Sequence, residues 1–123
     1  MKQKLSTSPS TPTALKQLEK TKIKIGPLVF RIVLAETLFK EQGWLDQDGA
    51  LICIAKSDNS LKVASVLVHE MVHGVFDMGG DGEEIGGGGT EDRVTRMSNI
   101  LTDTLLNSEG LLEFLQIVKK ENK

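Results

Sequence analysis

The sequence predicts an α+β domain in which a small twisted β-sheet is followed by helices. Three observations carry that prediction. Apolar, β-branched residues concentrate in the first half, at 23–34 and 50–55. Apolar residues at helical spacing fill the second half, from Leu61 onward. The strand signals come first and the helix signals after them, which favours segregated layers over alternating βαβ units. With 123 residues the chain has room for one domain.

Taken in order, residues 1–22 read as a flexible tail and 23–123 as the folded domain. Met1 to Thr13 is rich in Ser, Thr and Pro and lacks the apolar content that offsets ordering entropy. Ala14 to Lys22 offers only Leu15 and Leu18 at helical spacing, enough for a short, weak helix at most. Ile23 to Leu34 is broken by Gly26-Pro27 and reads as one bent strand or two short ones. Glu36 to Glu41 reads as a turn or helical loop. Gly43 to Gly49 has turn chemistry, with Asp48-Gly49 a hairpin signal. Leu51, Ile52, Cys53 and Ile54 form a compact strand, and Ser57 to Ser60 supply helix N-cap residues.

A helix is expected from Leu61 to Met78. Gly79 to Gly89 ends it: seven of those eleven residues are glycine, so the segment reads as a loop. A second helix is expected from Thr90 to Leu106, with Val94, Met97, Leu101 and Leu105 as its buried stripe. A last one uses Leu111, Leu112, Leu115 and Val118.

The net charge of −2 gives no electrostatic case for nucleic acid or an anionic membrane as partner. No apolar run reaches the ~18 residues of a membrane span. The polar, proline-bearing start does not read as a signal peptide. Cys53 is the only cysteine, so it forms no internal disulfide and reads as a small buried hydrophobe. The expectation is a soluble protein of a reducing cytoplasm.

The chemistry concentrates in Val68-His69-Glu70-Met71-Val72-His73-Gly74. The chain has only two histidines, and they fall four residues apart with a glutamate after the first. On a helix, residues four apart share a face, so two imidazoles reach one metal ion. Glu70 lies about 100° round the axis, placed to take a proton from a metal-bound water rather than to ligate. Val63, Val66, Leu67, Met71 and Val75 mark the helix as buried, where imidazoles and a carboxylate are costly unless paired or metal-bound.

A catalytic zinc site needs a third protein ligand. With no third histidine it must be a carboxylate: Asp77, Asp81, Glu83, Glu84, Glu91 or Asp92. Measured from Val94, Glu91 lies about 60° round its helix and Asp92 about 160°. Glu91 is therefore favoured, with Asp77, one turn beyond His73, as its rival.

The same string, a short strand before it, and a later Glu91-Asp92-Arg93-Val94 helix ending near Asn107-Ser108-Glu109 resemble the ImmA/IrrE-type small zinc metallopeptidases, most closely their compact phage-borne members. The resemblance runs from about Ile23 to the C-terminus. It implies a minimal zincin-like domain, zinc held by His69, His73 and Glu91, and Glu70 as the general base of peptide-bond hydrolysis. A protein or peptide would be the substrate, and the strand Ala50–Lys56 could pair with it as an edge. The chain departs from the pattern in its glycine-rich insertion and in having no tyrosine to stand near an oxyanion. That departure motivates an alternative: a zinc-stabilised binding or regulatory module whose peptidase activity is lost or depends on a partner.

Overall fold

The computed structural model describes residues 13–36, 42–79 and 90–122. Their elements run α1 (Thr13–Leu18), β1 (Lys22–Ile25), β2 (Leu28–Ala35), β3 (Gly43–Asp46), β4 (Leu51–Ala55), α2 (Ser60–Gly79), α3 (Thr90–Asn107) and α4 (Leu111–Glu121). This is an α+β arrangement with a mixed four-stranded sheet in the order β1-β2-β4-β3.

The Gly26-Pro27 break resolves into a tight hairpin. β1 and β2 pair antiparallel from Lys22↔Arg31 to Ile25↔Leu28. Gly26 turns the chain at φ 59°, a conformation that costs a residue without a Cβ nothing. β2 then runs parallel to β4, and β3 pairs antiparallel with the other side of β4. Period-2 alternation sends Ile23, Ile25, Phe30, Ile32, Leu34, Ile52 and Ile54 to one face, where all are buried. Val63, Leu67, Met71 and Val75 of α2 pack onto that face, and Leu111, Phe114 and Val118 of α4 close the core.

Several expectations change. The packed chain begins before Ile23: α1 buries Ala14, Leu15 and Leu18 and lies against α4. Two well-placed leucines suffice there because α4 provides a ready apolar surface. Gly43–Asp46 is a strand rather than part of a turn, and the turn occupies the next residues, 47–50. Hence β4 is an interior strand, flanked by β2 and β3, and the edge is β3 rather than Ala50–Lys56. On α3 the side facing the core carries Met97, Ile100 and Thr104, whereas Val94, Leu101 and Leu105 are exposed. On α4, Phe114 takes the buried place expected of Leu112, which is exposed. The expected tail 1–12, the loop at 37–41 and the glycine-rich segment from 80 to 89 lie outside the described residues.

The far edge of the sheet is closed by the end of α3. The Thr104 hydroxyl donates to the Lys24 carbonyl at 2.6 Å, and the Lys24 N–H donates to Ser108 Oγ at 2.8 Å. Lys24 Nζ pairs with Asp103 at 2.5 Å, and the Lys22 N–H reaches the Glu109 carbonyl. With β1 sealed in this way, β3 is the edge with no further strand or helix paired to it among the described residues, and it lies alongside α2. No helix of the described residues is long and apolar enough to cross a membrane.

Candidate metal centre

α2 is started by Asn59, whose side-chain oxygen accepts from the Lys62 N–H at 3.2 Å while its carbonyl accepts from the Val63 N–H. The helix then buries one side on the sheet, and the histidine string falls across the boundary between buried and exposed sides.

His69 and His73 stack one turn apart, with ring centroids 4.8 Å apart and planes at 77°. Both are exposed, contrary to the expectation of buried imidazoles. The physical reason lies in the helix itself: Leu67, Met71 and Val75 take the core-facing side, and the two histidines are turned more than a right angle from its centre.

Glu70 alone of the three is buried, with 6% of its surface accessible. No hydrogen bond or ion pair holds its side chain among the described residues. A carboxylate withdrawn from water without a partner is destabilising by itself. It faces a recess of about 300 Å³ lined by Gln42, Gly43, Ser65, Val66, His69 and Glu70. The recess lies between α2 and the start of the edge strand, so Glu70 and His69 open into one space.

Gly43 makes this closeness possible. A β-carbon there would stand 2.6 Å from Val66 Cγ1, 3.0 Å from the Cys53 carbonyl and 3.6 Å from Glu70 Cγ. Only glycine lets β3 approach α2 this tightly. Reading Gly43 as turn chemistry hid this role. The signal available in the sequence was the alternation Gly43 and Leu45 against Trp44 and Asp46, which matches a strand with one face on a helix.

Two imidazoles at this separation suit a divalent transition ion, and the buried carboxylate beside them suits a group that takes protons from water at such an ion. The donor set thus fits zinc in those respects. Among the described residues no group of three His, Cys, Asp or Glu side chains comes together to hold a metal, so neither Glu91 nor Asp77 is gathered with the pair. Glu91 is exposed in the first turn of α3. Because Val94 is not on the core-facing side, the angle measured from it does not aim Glu91 inward. Asp92 and Asp77 are also exposed, and Asp81, Glu83 and Glu84 lie outside the described residues.

Cys53 is buried on β4, and burial, with the Asp46 carboxylate second, pushes its thiol above the ordinary value. It stays a protonated packing residue at neutral pH.

No protein-family model matches the chain, and no curated protein or solved structure matches it.

Proposed function

We propose that the protein is a zinc-dependent metallopeptidase with a minimal zincin-like fold. The observation that carries this reading is the pairing of two adjacent imidazoles with a buried Glu70 that has no partner among the described residues and opens into the same recess. The resemblance to ImmA/IrrE-type peptidases and the position of β3 as an edge strand beside the recess support it.

His69 and His73 would hold the metal, with Glu91, proposed on the resemblance, as third ligand. Bound zinc supplies a Lewis acid that makes water nucleophilic near neutral pH and stabilises negative charge on a carbonyl oxygen. Glu70 accepts the proton of the attacking water and returns it to the leaving amine. The outer edge of β3 would pair with an extended peptide and lay its carbonyl over the recess. Gly43 holds that strand close enough to α2 for the peptide and Glu70 to meet.

The test is turnover of a panel of unfolded polypeptides by zinc-loaded protein. Cleavage should stop on adding a chelator and return with zinc. Bound zinc without turnover favours the second reading, a zinc-stabilised binding or regulatory module, whose motivation is that no third donor joins the histidines among the described residues.

A further inference from the structure

The hydrogen bonds of β4 fix which backbone groups of its neighbour β3 face outward. Towards β2, the Arg31 N–H donates to the Ala50 carbonyl at 2.9 Å and the Lys56 N–H to the Ala35 carbonyl at 2.7 Å. Alternate residues of a strand bond to alternate sides, so Ala50, Ile52, Ile54 and Lys56 serve β2. Leu51, Cys53 and Ala55 are left for the other side. There the Ala55 N–H donates to the Gln42 carbonyl at 2.8 Å. The antiparallel register, Gly43↔Ile54 to Asp46↔Leu51, alternates onward from that pair. Trp44 and Asp46 therefore turn their N–H and C=O groups to β4, whereas Gly43 and Leu45 turn theirs to the outer edge.

The same alternation sorts the side chains. Gly43 and Leu45 face α2: a β-carbon on Gly43 would meet Val66 and Glu70, and Leu45 packs against the core. Trp44 lies on the opposite face of the sheet, across from Cys53, and is 39% accessible. It is the chain's only tryptophan. An exposed indole thus stands between the two residues whose backbone groups point outward.

We infer that this edge takes an extended peptide in a fixed register, with Gly43 and Leu45 as its hydrogen-bonding partners and Trp44 selecting an aromatic or β-branched side chain of the substrate. The inference rests on the reading of β3 as the strand that pairs with substrate, and adds the register and the residue that chooses. Antiparallel pairing is the more stable of the two directions. A peptide paired in that direction exchanges N–H···O bonds through the two residues opposite Gly43 and Leu45. Their side chains point towards α2, the first of them into the recess beside Glu70. The residue between them makes no hydrogen bond to β3 and lays its side chain beside the indole, with β-carbons about 4.5–5.5 Å apart. Aromatic and β-branched side chains gain most from such a neighbour. Backbone bonds hold any extended chain, and the indole discriminates among chains.

The probe is a fluorescein-labelled octapeptide of threonine with one variable residue in its middle. It is titrated onto the full chain carrying Glu70→Gln, so that nothing is cut. Uniform flanks let the variable residue settle opposite Trp44. Phenylalanine there should bind about fivefold more tightly than serine and should shift the emission of the single tryptophan. Trp44→Thr should bring the two peptides level. N-methylation of the peptide reads the register without altering the protein. A methyl on the phenylalanine nitrogen, which faces away from β3, should be tolerated, whereas one on either neighbouring nitrogen should weaken binding about tenfold. Absence of binding, equal binding of the two peptides, a preference that survives Trp44→Thr, or a methyl pattern that is flat or reversed overturns the inference. So does tryptophan emission that shifts with the concentration of the chain alone, because a second copy then occupies the edge. Binding of uncut peptide is read separately from cleavage. The expected pattern without wild-type turnover leaves this inference standing and defeats the peptidase reading; turnover without the pattern does the reverse.

Discussion

Glu70 occupies a position that stability alone would not choose. It is buried beside Leu67 and Met71, its carboxylate has no partner among the described residues, and an apolar or amide side chain there would cost less. Glu70→Gln should therefore raise the unfolding free energy of the metal-free protein, by about 1 kcal/mol, seen as a higher melting temperature. In the zinc-loaded protein the same change should lower turnover by about 10²-fold or more. A variant that gains stability while losing activity marks a group kept for its chemistry. The histidines should behave in the opposite manner. Being exposed, His69→Ala and His73→Ala should leave metal-free stability within about 0.5 kcal/mol while removing stoichiometric zinc, measured by elemental analysis after gel filtration. The motif was legible because four-residue spacing fixes a shared helix face without any tertiary information. Which of its members would be buried was not legible, because that depends on where the sheet lies against α2.

At the scale of elements, the contact between β3 and α2 builds the recess, and Gly43 limits it. Gly43→Ala should cost about 1–3 kcal/mol, read by denaturant titration, because the new methyl meets Val66 at 2.6 Å. Val66→Ala in the same chain should recover part of the loss, whereas Val66→Ala alone should not stabilise. At the opposite edge, Lys24 and Asn107 hydrogen-bond the Asp103 carboxylate and hold its pKa below the ordinary value. A lowered folded-state pKa means that the stabilisation is complete above the unfolded-state value of about 4. It is lost as pH falls through the lower folded-state value. Asp103→Asn should therefore lower the melting temperature by a flat amount near neutrality, and the difference from the wild type should shrink as the pH falls through the acid limb. Strands β1, β2 and β4 and helices α2 and α3 were legible from period and punctuation. β3 was not, because four residues containing glycine and aspartate resemble a turn until a neighbouring strand and helix give them partners. Neither was the outward position of Val94, Leu101 and Leu105: an apolar stripe marks an amphipathic helix but does not say which side the sheet will meet.

At the scale of the whole molecule, the sheet, α2 and α4 form a scaffold that carries the two histidines on the side of α2 turned away from the core. Zinc bound only by the folded chain stabilises it in proportion to the logarithm of metal concentration over the dissociation constant. The wild-type melting temperature should therefore climb with added zinc, and that of His73→Ala should not. The α+β class followed from the order of strand and helix signals, whereas α1 was underestimated because its contribution depends on α4, almost a full chain length away. The central claim is that the histidine pair carries a hydrolytic zinc and that Glu70 serves it. Its most direct measurement is cleavage of unfolded polypeptide by wild type and Glu70→Gln side by side, with bound zinc quantified in both samples. The account predicts one zinc per chain in each and cleavage by the wild type only. Equal cleavage by the two samples, or wild-type protein that takes up no zinc, would contradict it.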